Sequence, residues 1–209
     1  MCVSLGAHTH KITPVSTGMQ RWISIINRAC SLVIQVDLFD AIRQRKSVRT
    51  YAPTPVSEKV LVRILEAARL APSADNIQPW HFVVVRDKEK RTRIAGGCRW
   101  GKFLTESPVV IIGCGNKKAS PEWYVVDTSI ALEHLVLAAT ASGLGTCWIG
   151  DFDSEDLRKM LMLPEEYGIV ALIALGYPHD KTVAMARPTK DLEEIVSRET
   201  YGSKNDSSN

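Results

Sequence analysis

At 209 residues, with 45% apolar and 23% charged side chains, the chain has the composition of an ordinary soluble domain with a sizeable core. A net charge of +3, with no Lys/Arg run interleaved with aromatics, argues against a nucleic-acid-binding protein. Five cysteines (Cys2, Cys30, Cys98, Cys114, Cys147) form no CxxC pair and no metal spacing, which suits a reducing cytoplasm better than a disulfide framework.

The first 36 residues show no usable period. Within them RWISIINRACSLVIQV is apolar but interrupted by Arg28, too short and too charged to span a bilayer and unlike a signal peptide. Residues 1–35 therefore read as an N-terminal extension, either flexible or upstream of a biological start at Val36. An extra helix that docks on a partner is the other reading.

Asp37 then caps a short helix, DLFDAIRQRK, expected to face inward through Leu38, Ile42 and Phe39. An extended, Pro-limited link follows. SEKVLVRILEAARLA is the most periodic segment, with Val60, Leu61, Ile64, Leu65 and Ala68 at helical spacing behind a Ser57 cap. APSADNIQPWHF, residues 71–82, is a loop by its Pro and Asn content, but it carries side-chain amides and an indole where most loops carry Lys and Glu. WHFVVVR reads as a buried strand and DKEKRTRIAGG as a short charged helix ending at Gly96 and Gly97. SPVVIIGCG is a second strand. PEWYVVDTSIALEHLVLAATASGLG is a long helix, apolar nearly all round from Ile130 to Ala141 and so buried on several sides or at a subunit interface. TCWIG is a short strand, DSEDLRKMLML a helix capped by Asp153, GIVALIALGYP a strong strand, and DLEEIVSRETYG a closing helix before a polar tail, residues 203–209. Three or four strands alternate with five or six helices, so the class is α/β or α+β in one domain, with both sheet faces covered.

Two places invite chemistry. RQRKSVR sets Arg43, Arg45, Lys46 and Arg49 around Ser47, a set that can cradle an anion through guanidinium forks and a hydroxyl. A solvated cationic helix end would look the same and gain only ~0.3–1 kcal/mol from the macrodipole. GLGTCWIG, residues 143–150, is not a dinucleotide fingerprint, because it leads out of a helix into a strand. Gly143 and Gly145 fit a helix C-cap and close packing. Gly150 beside Trp148 suits either a plain turn or the close approach of a flat ligand to backbone N–H groups. The five histidines form no HxH or HExxH, and no Gly-x-Ser-x-Gly is present. Either a bound cofactor carries the chemistry or the protein is not an enzyme.

RKSVR, APSADNIQPWHF, SPVVIIGCG, the helix leading to GLGTCWIG, LGYP and the late ARPTKDLEEIV together resemble the FMN-dependent nitroreductase family, over residues 36–202. The resemblance implies an α+β, three-layer fold with a central mixed sheet flanked by helices, built as an intertwined homodimer with FMN at the subunit interface. It also implies that Arg45, Lys46, Ser47 and Arg49 hold the FMN phosphate and ribityl chain, with Arg187 as a second phosphate-side cation. Pro72, Ser73, Ala74 and Asn76 would reach the flavin of the other subunit, with Gln78 and Trp80 fixing that loop. Arg99 and Lys102 would lie near the pyrimidine edge, and Trp148, Ile149 and Gly150 would bring backbone N–H groups to N5 and O4.

Two departures stand out. Arg99 occupies a position where an amide is more usual, and the longer late motif leaves Arg187 and Lys190 both able to reach the phosphate. The implied activity is ping-pong transfer of electrons from NADH or NADPH through FMN to a nitroaromatic, quinone or flavin-type acceptor, with no catalytic side chain. Rivals are a flavin-binding or storage module, and dehalogenation or dehydrogenation on the same scaffold. No metal, nucleic-acid or membrane partner is expected.

Overall fold

Runs of β-branched and aliphatic residues build one four-stranded sheet, which the computed structural model describes within residues 37–179 and 188–203. The strands are β1 (Trp80–Val85), β2 (Val109–Asn116), β3 (Gly145–Ile149) and β4 (Tyr167–Gly176), in the order β1-β2-β4-β3. Every neighbouring pair is antiparallel. The mixed character expected of the sheet is confined to an isolated parallel bridge between Ser47 and Thr146. Six α-helices accompany it among the described residues: α1 (Leu38–Gln44), α2 (Glu58–Arg69), α3 (Lys88–Gly96), α4 (Tyr124–Ala141), α5 (Ser154–Leu161) and α6 (Leu192–Ile195).

Three layers follow from the pleat. Alternate residues of β2 and β4 point to opposite faces. Val109, Ile111, Ile173 and Leu175 pack with Leu61, Ile64 and Ala68 of α2 and with Leu132 and Leu135 of α4. On the other face Val110, Ile112, Leu172 and Ala174 pack with Ile94 of α3, Leu104 and Leu157 of α5. Each fully buried aliphatic side chain contributes about 1.5–3 kcal/mol. By length and composition α4 could cross a membrane. Instead Ala131, Leu132, Leu135, Val136 and Ala139 are buried within this chain.

Local signals placed most boundaries. Ser57 Oγ accepts from the Val60 N–H, and Asp153 Oδ1 accepts from the Glu155 and Asp156 N–H groups. Gly143 ends α4 with φ +75°. α1 corrects one expectation: Leu38, Phe39 and Ile42 are exposed, and Ala41 is its buried residue. The helix packs against α4, and the side chain it buries is a small one. α6 is shorter than its pattern suggested, because Val196 turns to extended backbone.

One charged helix has a buried anchor. On α3, Arg91 is buried and donates to the carbonyls of Arg86, Leu104, Thr105 and Ser107. Burial lowers the pKa of its guanidinium. The side chain thus clamps α3 to residues 102–107, a short 3-10 turn (Lys102–Thr105) and the entry to β2.

Gly145, at the start of β3, lies against Val48. A Cβ there would come within 2.6 Å of Val48 Cγ2. Gly145→Ala is expected to destabilise the fold by about 1–3 kcal/mol through overpacking, read as a lower melting temperature. An unchanged melting temperature would show that Val48 yields freely.

Candidate functional site

The segment after α1 is laid along the edge strand β3. Arg45 N–H closes the last helical turn onto Ala41 O at 3.0 Å, and Val48 N–H then donates to Thr146 O at 2.8 Å. Tyr51 Oη donates to Val48 O at 2.7 Å, and burial raises the Tyr51 phenol pKa well above its usual range. An extended run alternates its side chains. Arg45, Ser47 and Arg49 therefore lie on the side away from Lys46 and Val48, which with Gln44, Thr140 and Gly143 line a cavity of about 390 Å³.

Two further segments join this one. The Arg49 guanidinium sits 6.0 Å over the Phe103 ring, which brings it to the 3-10 turn that also carries Lys102. Next to that turn, Arg99 lies 5.5 Å over the ring of an exposed Trp100. Asp153 N–H donates to Gly97 O at 2.9 Å, drawing the chain beyond β3 to the same place. Ile149 is buried opposite Leu172, Trp148 is half-buried opposite Ile173, and Gly150 follows them. A Cβ on Gly150 would meet nothing within 4 Å, so packing inside this chain does not demand a glycine there.

Electrostatics set these cations apart. The ion pairs among the described residues are Arg43–Asp40, Arg69–Glu66, Arg86–Glu58 and Arg93–Asp156. Arg45, Arg49, Arg99 and Lys102 take part in none of them. Glu133 of α4 is the nearby acid: burial raises its pKa, while Arg45 and the Trp148 indole act in the opposite direction. Nothing in the sequence pattern singled out Glu133.

The opening loop lies elsewhere. It contains a 3-10 turn (Ala74–Asn76) and leads into β1, the opposite edge strand. Three strand spacings, about 14 Å, separate β1 from β3. Asp75, Asn76 and Gln78 all have left-handed φ, of 48°, 54° and 53°. Such residues cost roughly 1–3 kcal/mol each and persist where their surroundings over-determine them. Here Gln78 N–H donates to Ser73 Oγ and Gln78 Nε2 to Asn76 Oδ1, both at 2.9 Å. Ala74 N–H donates to Asp127 Oδ1 at 3.2 Å, and Asn116 N–H to Pro79 O at 2.9 Å. The structure therefore gathers Arg45, Ser47, Arg49, Arg99, Lys102 and the Trp148–Gly150 strand end, and leaves Pro72, Ser73, Ala74, Asn76 and Gln78 at the far edge. Arg187 lies outside the described residues, and Lys190 is exposed ahead of α6.

The profile of the nitroreductase family matches residues 42–101 and 95–177, the whole sheet and both of these groups. The chain belongs to the nitroreductase family. A protein of Archaeoglobus fulgidus provisionally named NADH dehydrogenase/NAD(P)H nitroreductase is 38% identical over 144 residues, 66% of this chain and 83% of that protein. The FMN reductase [NAD(P)H] of Bacillus subtilis is 28% identical over 190 residues, 79% of this chain and 74% of its own. The crystal structure of an FMN-dependent nitroreductase from Clostridium difficile superposes with a TM-score of 0.70 at 29% identity, covering 77% of this chain and 98% of the other. The nitroreductase fold is thus established, and with it an oxidoreductase that uses FMN as cofactor and NAD(P)H as electron donor.

Within this nitroreductase, Asp127 is a second residue that the sequence pattern did not single out. It stands in the first turn of α4, is 3% exposed, and ties the loop to the helix. An acid in the opening turn of an otherwise apolar helix was the available signal, but helix dipoles place acids there routinely.

Proposed function

We propose that two copies of the chain bind FMN between them and pass electrons from NADH or NADPH to a nitroaromatic, quinone or flavin-type acceptor in ping-pong fashion. The observation that carries this reading is the convergence, beside an open glycine strand end, of cations that join no ion pair among the described residues. A phosphate dianion asks for guanidinium forks and a hydroxyl, and Arg45, Ser47 and Arg49 offer both. Arg187 completes the anion side in this reading, whereas Lys46, expected there from the resemblance, faces the cavity on the other side of the segment.

Arg99 and Lys102 would lie at the pyrimidine edge of bound FMN, and the backbone of Trp148, Ile149 and Gly150 would offer N–H groups to N5 and O4. When bound, FMN supplies the chemistry of accepting a hydride from NAD(P)H and releasing electrons to the acceptor. The protein orients the ring and holds positive charge where reduction adds negative charge. A unit charge at ~4 Å with an effective dielectric of ~20 is worth roughly 4 kcal/mol before desolvation. No side chain is required as acid or base.

Pro72, Ser73, Ala74, Asn76 and Gln78 serve the flavin held by the second copy. Their place at the opposite sheet edge supports this, as do exposed Leu38, Phe39 and Ile42 on α1 and Trp123, Val125 and Val126 at the start of α4. Apolar surface of this extent is ordinarily covered by a partner. The catalytic domain spans residues 36–202, and a cytoplasmic setting suits the buried thiols of Cys98 and Cys114, both with pKa raised to about 11 by burial.

The protein is expected to purify yellow and to lose its visible flavin absorbance within seconds of stopped-flow mixing with NADH or NADPH. Adding a quinone or nitroaromatic should restore the colour. A flavin store would stay yellow with both nucleotides, and that outcome would end the enzymatic reading.

A further inference from the structure

A cavity of about 250 Å³ lies between the opening loop and the start of α4, walled by Pro72, Ser73, Ala74, Trp123, Val126 and Asp127. Apart from Ser73, its walls are apolar except for one buried acid. Asp127 Oδ1 accepts the Ala74 N–H, whereas Oδ2 is buried with no partner among the described residues. Two neighbours share that condition: Thr128 Oγ1 and Ser120 Oγ are also buried and unpartnered. Buried carboxylate oxygens ordinarily collect several donors, because an unmet one costs desolvation energy. Here a single backbone N–H and the N-terminal end of the α4 dipole are what compensate it.

The loop that Asp127 touches is the strained one. Ala74 immediately precedes the left-handed pair Asp75 and Asn76. Strain of this kind is maintained by what surrounds it. The bonds among Ser73, Asn76 and Gln78 are internal to the loop, so they set its shape but not its position. Position comes from Asp127 and from Pro79 O on Asn116 N–H at the end of β2.

We infer that Asp127 is a positioning residue with two separable effects. Its Oδ1 fixes the flavin-contact loop through Ala74, and its under-compensated negative charge lowers the reduction potential of the flavin that this loop touches. The inference rests on the proposed function, in which residues 72–74 contact the flavin. The sign follows from Coulomb's law: negative charge held beside the ring opposes the negative charge that reduction adds.

Two variants of the flavin-loaded protein separate the effects. Asp127→Asn keeps an oxygen for the Ala74 N–H but removes the charge. It is expected to hold FMN within about threefold of the unaltered protein, while its midpoint potential rises by a tenfold or larger change in the reduction equilibrium, about 30 mV for a two-electron couple. Asp127→Ala removes acceptor and charge together and is expected to weaken FMN binding roughly tenfold or more. A purely structural anchor would leave the potential of Asp127→Asn unchanged, and that result overturns the electrostatic role. Unaltered FMN affinity in Asp127→Ala overturns the positioning role. Should Asp127→Ala fail to fold, the potential of Asp127→Asn still decides the electrostatic role, and Asp127→Leu, which also removes the acceptor, replaces it in the affinity test. A colourless unaltered protein would refute the flavin reading itself, and is distinct from a yellow protein whose variants behave alike.

Discussion

Arg45→Ala is expected to emerge from dialysis with little or no flavin. The guanidinium leaves the last turn of α1 beside the Ser47–Thr146 bridge, and no ion pair among the described residues competes for it. Truncating one partner of a hydrogen-bonded charge pair costs about 2–5 kcal/mol, roughly 30-fold or more in affinity. Arg45→Lys keeps the charge without the planar fork and should retain part of that affinity. The readout is the ratio of flavin to protein absorbance after exhaustive dialysis, followed by a titration with FMN. Because Arg45 is only half-buried and forms no ion pair among the described residues, the flavin-free variant should melt close to the flavin-free parent. Stoichiometric flavin in Arg45→Ala would place the phosphate elsewhere.

Arg91→Ala carries the largest expected cost in stability. Its guanidinium reaches Thr105 O at 3.0 Å and Arg86 O at 3.3 Å, and also the carbonyls of Leu104 and Ser107. Removing it strands buried carbonyl oxygens and opens a gap between α3 and the turn that holds Lys102. Unsatisfied buried groups of this kind cost ~1–3 kcal/mol each, and relaxation recovers part, so a loss of about 2–5 kcal/mol is expected. For a domain of this size that corresponds to a melting temperature roughly 5–15 °C lower. Lysine offers one nitrogen where arginine offers a fork, so Arg91→Lys should rescue little. Flavin content near 4 °C, about the lowest practical temperature, should fall less than stability, since the residue acts through the fold. Equal melting temperatures for Arg91→Ala and the parent protein would show that the clamp is not needed.

Arg91 also shows what was hard to read. DKEKRTRIAGG looks like a solvated helix, yet Arg91, Ile94 and Ala95 recur at helical spacing and are its buried stripe. A guanidinium can occupy such a stripe because it donates in several directions, a property no hydrophobic pattern registers. α1 misled in the opposite way. Leu38, Phe39 and Ile42 have the chemistry of a buried face, but Ala41 is the residue of the helix that is buried. A periodic stripe says that a face is apolar, not which body covers it.

Much else was legible because its cause is local. The caps Ser57 and Asp153, the left-handed Gly143 and the direction of GLGTCWIG out of a helix all depend on neighbours a few residues away. The strands were equally plain, since an aliphatic run such as GIVALIALG can be buried on both faces only inside a sheet.

Chain order alone could assign the elements, narrow the fold to α/β or α+β and mark the cationic segment around Ser47, because helix periodicity, capping and charge are short-range properties. It could not say that residues 45–49 and the opening loop belong to opposite edges of the sheet, or that Asp127 reaches across 53 positions to hold Ala74. Those facts come from strand order and from packing between distant elements. Long-range contacts of this kind arise only when burial of the whole core selects one arrangement of the layers, and no local preference encodes that choice.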